Sequence, residues 1–130
     1  MNEQHSPPTV MVVEDDRDCI YLWERYASTV GYHVVGTSRG EEALTLAQRE
    51  KPALVILDIM LPGMDGWKVL QSLKTDPTTQ DIPVVMCSAL DEQARAVLEG
   101  ADGYLRKPVR LCEFVHCLQS ADSANVALTC

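Results

Sequence analysis

The chain has no apolar run of membrane-spanning length, no signal-peptide core in Met1 to Pro8, no C-x-x-C pair, no internal repeat and no low-complexity segment. A helical span needs about 20 consecutive apolar residues, so the first absence excludes a membrane helix. The second makes the cytoplasm the expected location. Cysteines number five, Cys19, Cys87, Cys112, Cys117 and Cys130; an odd count without metal or redox spacing points to reduced thiols. Cys112 and Cys117 are five apart on one expected helix, do not share a face, and read as small packing residues. Positive charge is also short, with 11 Lys and Arg against 19 Asp and Glu, a net charge of −8. Phosphate contacts need a basic face, so nucleic-acid binding by this domain is excluded.

What remains is an ordinary globular composition, 46% hydrophobic and 23% charged over 130 residues, enough for one domain with a proper core. Residues 1–8 read as a polar tail, 9–120 as the domain, and 121–130 as a terminal tail or the start of a linker. Thr9 to Val13 is a β-branched run ending in acids, hence a strand. Asp16 to Val30 is helical, with Ile20, Trp23, Ala27 and Val30 on one face and Gly31 as its stop. A second strand is expected over His33 to Thr37 and a helix over Gly40 to Glu50, with Ala43, Leu44 and Ala47 inward. Leu54 to Leu57 is an unbroken apolar run closed by Asp58, the pattern of a parallel strand buried on both faces. Pro62-Gly63 and Asp65-Gly66 keep the following stretch as a loop. A helix from Gly66 to Thr75 buries Val69, Leu70 and Leu73. After a polar loop come a strand over Pro83 to Cys87 and a short helix with Ala94, Val97 and Leu98 inward. A brief strand over Gly103 to Arg106 follows, then a last helix from Val109 to about Ser120 that buries Leu111, Phe114, Val115 and Leu118. Five βα units describe a single α/β domain around a parallel sheet.

The loops that follow the strands of such a sheet open on one edge. Glu14 and Asp15 arrive there from the first strand, Asp58 from the third, Ser88 from the fourth and Lys107 from the fifth. Singly, each has a bland explanation: Asp58 and Ser88 can cap the next helix, as can Asp16, and Lys107 can be a surface charge. Their coincidence at one edge favours a site. Three converging carboxylates need a cation, and an all-oxygen set suits Mg²⁺ (or Mn²⁺). Lys107 and Ser88 suit phosphoryl oxygens. A carboxylate beside such a metal can act as a nucleophile and become an aspartyl phosphate.

These residues, in this order, resemble the receiver domains of two-component response regulators. The resemblance covers Thr9 to Ser120 and rests on Val12-Val13-Glu14-Asp15-Asp16, on Leu57-Asp58-Ile59-Met60-Leu61-Pro62-Gly63-Met64-Asp65-Gly66, on Cys87-Ser88-Ala89, and on the run from Gly100 to Pro108. It implies a flavodoxin-like, doubly wound, five-stranded parallel sheet of order 2-1-3-4-5 with five helices. It also implies Asp58 as phospho-acceptor, Asp15 and Asp58 as metal ligands with the Met60 carbonyl, and Glu14 acting on the metal through water. Ser88 and Lys107 become the phosphoryl contacts, Ser88 and Tyr104 the switch pair, and Lys107-Pro108 a cis bond. Two departures stand out. Glu14 replaces the more usual Asp. The segment from Ser88 to Lys107 is also about a helical turn shorter than usual, which alters the face used for output.

The function so implied is a phosphorylation switch. A sensor histidine kinase or a histidine phosphotransfer protein donates to Asp58, and a downstream protein or attached domain reads the result. The domain catalyses only its own modification and is not classed as an enzyme. A phosphorylation-independent module of the same fold would have lost Asp58 or Lys107, and both are present. A Mg-dependent aspartyl-phosphate phosphatase would want an acid two residues after Asp58, where Met60 stands. A flavin carrier would want a Ser/Thr/Gly loop after the first strand, where Glu14-Asp15-Asp16-Arg17 stands.

Overall fold

The computed structural model describes residues 7–122. The terminal segments expected over 1–8 and 121–130 lie outside the described residues except for 7–8 and 121–122. In chain order the elements are β1 (Thr9–Val13), α1 (Arg17–Ser28), β2 (His33–Thr37), a 3₁₀ turn (Gly40–Glu42), α2 (Ala43–Glu50) and β3 (Leu54–Asp58). Then come β4 (Met60–Leu61), β5 (Met64–Asp65), α3 (Gly66–Thr75), β6 (Val84–Ser88), α4 (Gln93–Leu98), β7 (Gly103–Arg106) and α5 (Leu111–Asp122). The main sheet is five-stranded in the order β2-β1-β3-β6-β7, and every neighbouring pair in it is parallel. Because β4 and β5 form a separate two-stranded ribbon, this is the expected 2-1-3-4-5 topology.

Alternation along the buried strands divides the interior in two, since successive side chains point to opposite faces of a sheet. Met11, Val13, Val55, Leu57, Val84 and Met86 pack with α2, α3 and Ala96 of α4. Val10, Val12, Leu54, Ile56, Val85 and Cys87 pack with α1 and α5. On that second side Trp23 stacks on Phe114 with ring centroids 5.5 Å apart, and the Tyr26 hydroxyl donates to the Val109 carbonyl at 2.9 Å. Among the described residues no helix is long and apolar enough to cross a membrane.

Several local expectations are corrected. The helix expected over Asp16 to Val30 is α1, with Asp16 as its N-cap rather than its first residue. Val30 lies past its end and is 38% exposed, so Tyr26 fills the position facing α5. In α2 Leu46 is buried where Leu44 was expected, and Leu44 is only partly so. The loop after Asp58 contains the β4–β5 ribbon, reversed at Gly63, whose φ of +78° is left-handed and suits glycine. In α4 the inward residue is Ala96, while Ala94 is exposed and Val97 and Leu98 are 71% and 86% exposed. A six-residue helix is too short for periodicity to set its phase. Leu111, expected inside, opens α5 at 41% exposed. Cys19, Cys87 and Cys117 are free thiols. Cys130 lies outside the described residues.

Candidate functional site

The three consecutive acids after β1 take three different positions. Glu14 is held by its amide, which donates to the Thr37 carbonyl at 3.0 Å, and its side chain is turned inward, 2% exposed. Asp15 is exposed at the mouth of the site. Asp16 accepts from the Asp18 amide at 2.9 Å and caps α1, the role an acid at a helix start serves best. Asp58 ends β3 beside Cys87 of β6 and is 6% exposed. It does not cap α3. That role belongs to Asp65, which accepts from Trp67 N at 2.9 Å, leaving Asp58 to receive the Met60 amide on Oδ1 at 3.1 Å. The loop beneath is pressed against the site: a Cβ on Gly66 would stand 2.5 Å from the Asp58 carbonyl oxygen, so only glycine fits there.

Lys107 reaches in from the end of β7. Its Nζ lies 2.9 Å from Glu14 Oε1 and 3.3 Å from Asp58 Oδ2. Its amide donates to the Ser88 carbonyl at 2.8 Å, and Lys107-Pro108 is cis, as the resemblance implied. Burial pushes the Glu14 carboxyl up to about 7, with the Lys107 hydrogen bond opposing and the neighbouring Asp58 adding to the rise. For Lys107 burial pulls the other way, but the Glu14 hydrogen bond and the charges of Glu14 and Asp58 outweigh it, and the ammonium is held above the ordinary lysine range. Carboxylate oxygens of Glu14, Asp15 and Asp58 all come within 4.8 Å of one another. One ammonium shared by two of three acids leaves negative charge over, and a hard, all-oxygen donor set fits a Mg²⁺-class ion. Met60 shares an open cleft with Asp15 at the carboxyl edge of the sheet.

Ser88 ends β6 and is 1% exposed. Its hydroxyl accepts from the Leu90 amide at 3.1 Å. The same loop holds Tyr104, whose hydroxyl donates to the Leu90 carbonyl and accepts from the Glu92 amide at 3.1 Å. Ser88 and Tyr104 therefore grip the two sides of one short loop. Sequence reasoning named both residues and missed the loop that joins them, because backbone partners leave no side-chain signature. It also missed Arg95, whose guanidinium lies 4.5 Å from the centroid of the Trp67 ring. Arg95 lines the cleft that also holds Asp15 and Met60. No spacing on one helix could reveal a partner on another.

Residues 10–119 match the family model of the response regulator receiver domain. The chain is 39% identical over 103 residues to the response regulator PleD of Caulobacter vibrioides, covering 77% of this chain and 23% of that protein. It spans less than half the length of the curated relatives it matches. Among solved structures, the BeF3-activated N-terminal receiver domain of Klebsiella pneumoniae RstA aligns with TM-score 0.77 at 32% identity, over 85% of this chain and 95% of that one. The receiver domain of the sensor histidine kinase PA1611 from Pseudomonas aeruginosa PAO1, which has a magnesium ion coordinated in its active site cleft, aligns with TM-score 0.81 over 90% of this chain and 99% of that one. At 23% identity that last likeness is one of fold.

Proposed function

Because the chain belongs to the response regulator receiver domain family, we propose that it is a phosphorylation-driven switch whose acceptor is Asp58. The observation that carries this reading is the meeting of Glu14, Asp15 and Asp58 within 4.8 Å, with Lys107 Nζ bridging Glu14 and Asp58. Asp15, Asp58 and the Met60 carbonyl, with Glu14 through water, would hold Mg²⁺ (or Mn²⁺), whose charge would screen the phosphoryl oxygens during transfer. A sensor histidine kinase or histidine phosphotransfer protein is the donor. The phosphorus–nitrogen bond of its phosphohistidine breaks as a bond to an Asp58 carboxylate oxygen forms, and the imidazole leaves with the electron pair. The Met60 amide and the Lys107 ammonium fix the two Asp58 oxygens, so the nucleophile is oriented before the donor arrives.

After transfer, the added charge draws Lys107 further toward Asp58 and Ser88 away from the Leu90 amide, which loosens the loop gripped by Tyr104. The downstream protein or attached domain reads that change. Water later hydrolyses the acyl phosphate; no free substrate is turned over, and the setting is the cytoplasm. Incubation with acetyl phosphate or phosphoramidate plus Mg²⁺ is expected to add one phosphoryl group by intact mass. Asp58→Asn or excess chelator is expected to abolish it. Undiminished labelling of the Asp58→Asn protein would sink the assignment.

A further inference from the structure

The open cleft beside the acid cluster, which Asp15 and the residues following Asp58 help to line, is unfavourable for an anion. Its lining carries Asp15, Asp65 and Glu92, and the chain as a whole has net charge −8. Every small phosphodonor is an anion, so the chemistry of the site and the charge of its approach are opposed. One cation stands among the residues that line this cleft, Arg95 of α4. Its guanidinium is spread over the indole of Trp67, 4.5 Å from the ring centroid. Trp67 is itself 5% exposed and belongs to the wall of the core. A guanidinium on an aromatic face is held in plane while its N–H edges stay available. The only ion pair described for Arg95 is Nε to Glu99 Oε2 at 3.5 Å, with the arginine side chain 49% exposed. Such a pair at the surface is weak and exchanges readily. The Trp67 platform, more than the Glu99 pair, sets where this charge sits.

We propose that Arg95 is a specificity-determining residue for phosphodonors at Asp58, recruiting small anionic donors into the cleft in proportion to their negative charge. The inference rests on the proposed phospho-acceptor role of Asp58. With acetyl phosphate, an Asp58 carboxylate oxygen bonds to phosphorus, the phosphorus–oxygen bond to the acetyl group breaks, and acetate leaves with the electron pair. Arg95 takes no part in those bonds. It acts on encounter, so it lowers KM and leaves the maximal rate alone.

The test compares phosphorylation of the wild-type chain, Arg95→Gln and Arg95→Lys in saturating Mg²⁺. The donors are acetyl phosphate, doubly charged at neutral pH, and phosphoramidate, which carries a net single charge. A unit charge about 8 Å away in water is worth roughly a twofold change in occupancy, and two charges about fivefold. Arg95→Gln is therefore expected to raise KM about fivefold for acetyl phosphate and about twofold for phosphoramidate, with the maximal rate unchanged. Arg95→Lys is expected to recover most of the loss, and added salt to shrink the difference from wild type. An equal change for both donors, a fall in maximal rate without a change in KM, or no change at all overturns the proposal. If the wild-type chain labels normally while Arg95→Gln is indifferent, the inference fails and the acceptor assignment stands; if wild type never labels, both fall.

Discussion

Glu14 and Asp15 are neighbours in sequence and opposites in environment, and the difference decides which acid strains the fold. Asp15 is exposed, so water screens it, whereas Glu14 is 2% exposed and its carboxyl is pushed up to about 7 by burial. The sign follows from counting protons. Between pH 4.5 and about 7 the folded chain keeps a proton on Glu14 that the unfolded chain has released. Stability in metal-free buffer is therefore expected to fall as pH rises through this window. Glu14→Gln keeps the shape and removes the charge. In chelator at pH 8 its stability is expected to exceed wild type by on the order of 1 kcal/mol, the relief from removing a buried carboxylate charge being partly offset because Lys107 loses one of its two charged partners. The dependence on pH over the window is expected to flatten. Thermal melts from pH 5 to 8 in chelator check both, and a melting temperature that rises with pH in wild type contradicts the account.

At the scale of elements, the strands were legible and the short helix was not. A strand buried on both faces announces itself as an apolar run, as Leu54 to Leu57 does, because both sides of a parallel sheet are covered. The gathering of the candidate site residues was legible for a related reason. Once the runs are placed in parallel, Glu14, Asp15, Asp58, Ser88 and Lys107 fall at one edge whatever the helices do. The phase of α4 could not be read, since Val97 and Leu98 look like core residues until tertiary contacts show only Ala96 inside. The β4–β5 ribbon and the Arg95–Trp67 contact depend on chain reversals and on partners far away in sequence. These differences predict a contrast in mutants. Phe114→Ala, at the centre of the aromatic stack, is expected to cost about 3–5 kcal/mol, whereas Leu98→Ser is expected to stay within about 0.5 kcal/mol of wild type. Urea titrations of the two variants measure it. A large loss from Leu98→Ser would mean that α4 packs otherwise than described.

For the whole molecule, an ion taken up by the acid cluster would couple binding to folding. A ligand that binds only the folded state stabilises it by mass action, about 1.4 kcal/mol at ten times its dissociation constant. In a chain of this size that corresponds to a rise of roughly 5 °C in melting temperature. Millimolar Mg²⁺ is expected to produce such a rise in wild type and a smaller one in Asp15→Asn, read by scanning calorimetry with and without chelator. Equal, null responses from both proteins would remove the metal from the site. The two helix layers are not equally exposed to this event. The Trp67 side faces the cleft, while the Trp23 side lies across the sheet among α1 and α5.

That separation gives the molecule two natural optical reporters. The chain has two tryptophans, one in each layer, and each has a different immediate partner. Trp23 stacks on Phe114, so its emission follows the integrity of the core and shifts to the red when the chain unfolds. Trp67 lies under the Arg95 guanidinium, so its quantum yield is expected to follow the electrostatics of the cleft and to change if ions or donors arrive there. Replacing Trp23 with Phe would isolate the second signal. A titration of Mg²⁺ or of a phosphodonor could then be followed at equilibrium, without any label attached to the protein.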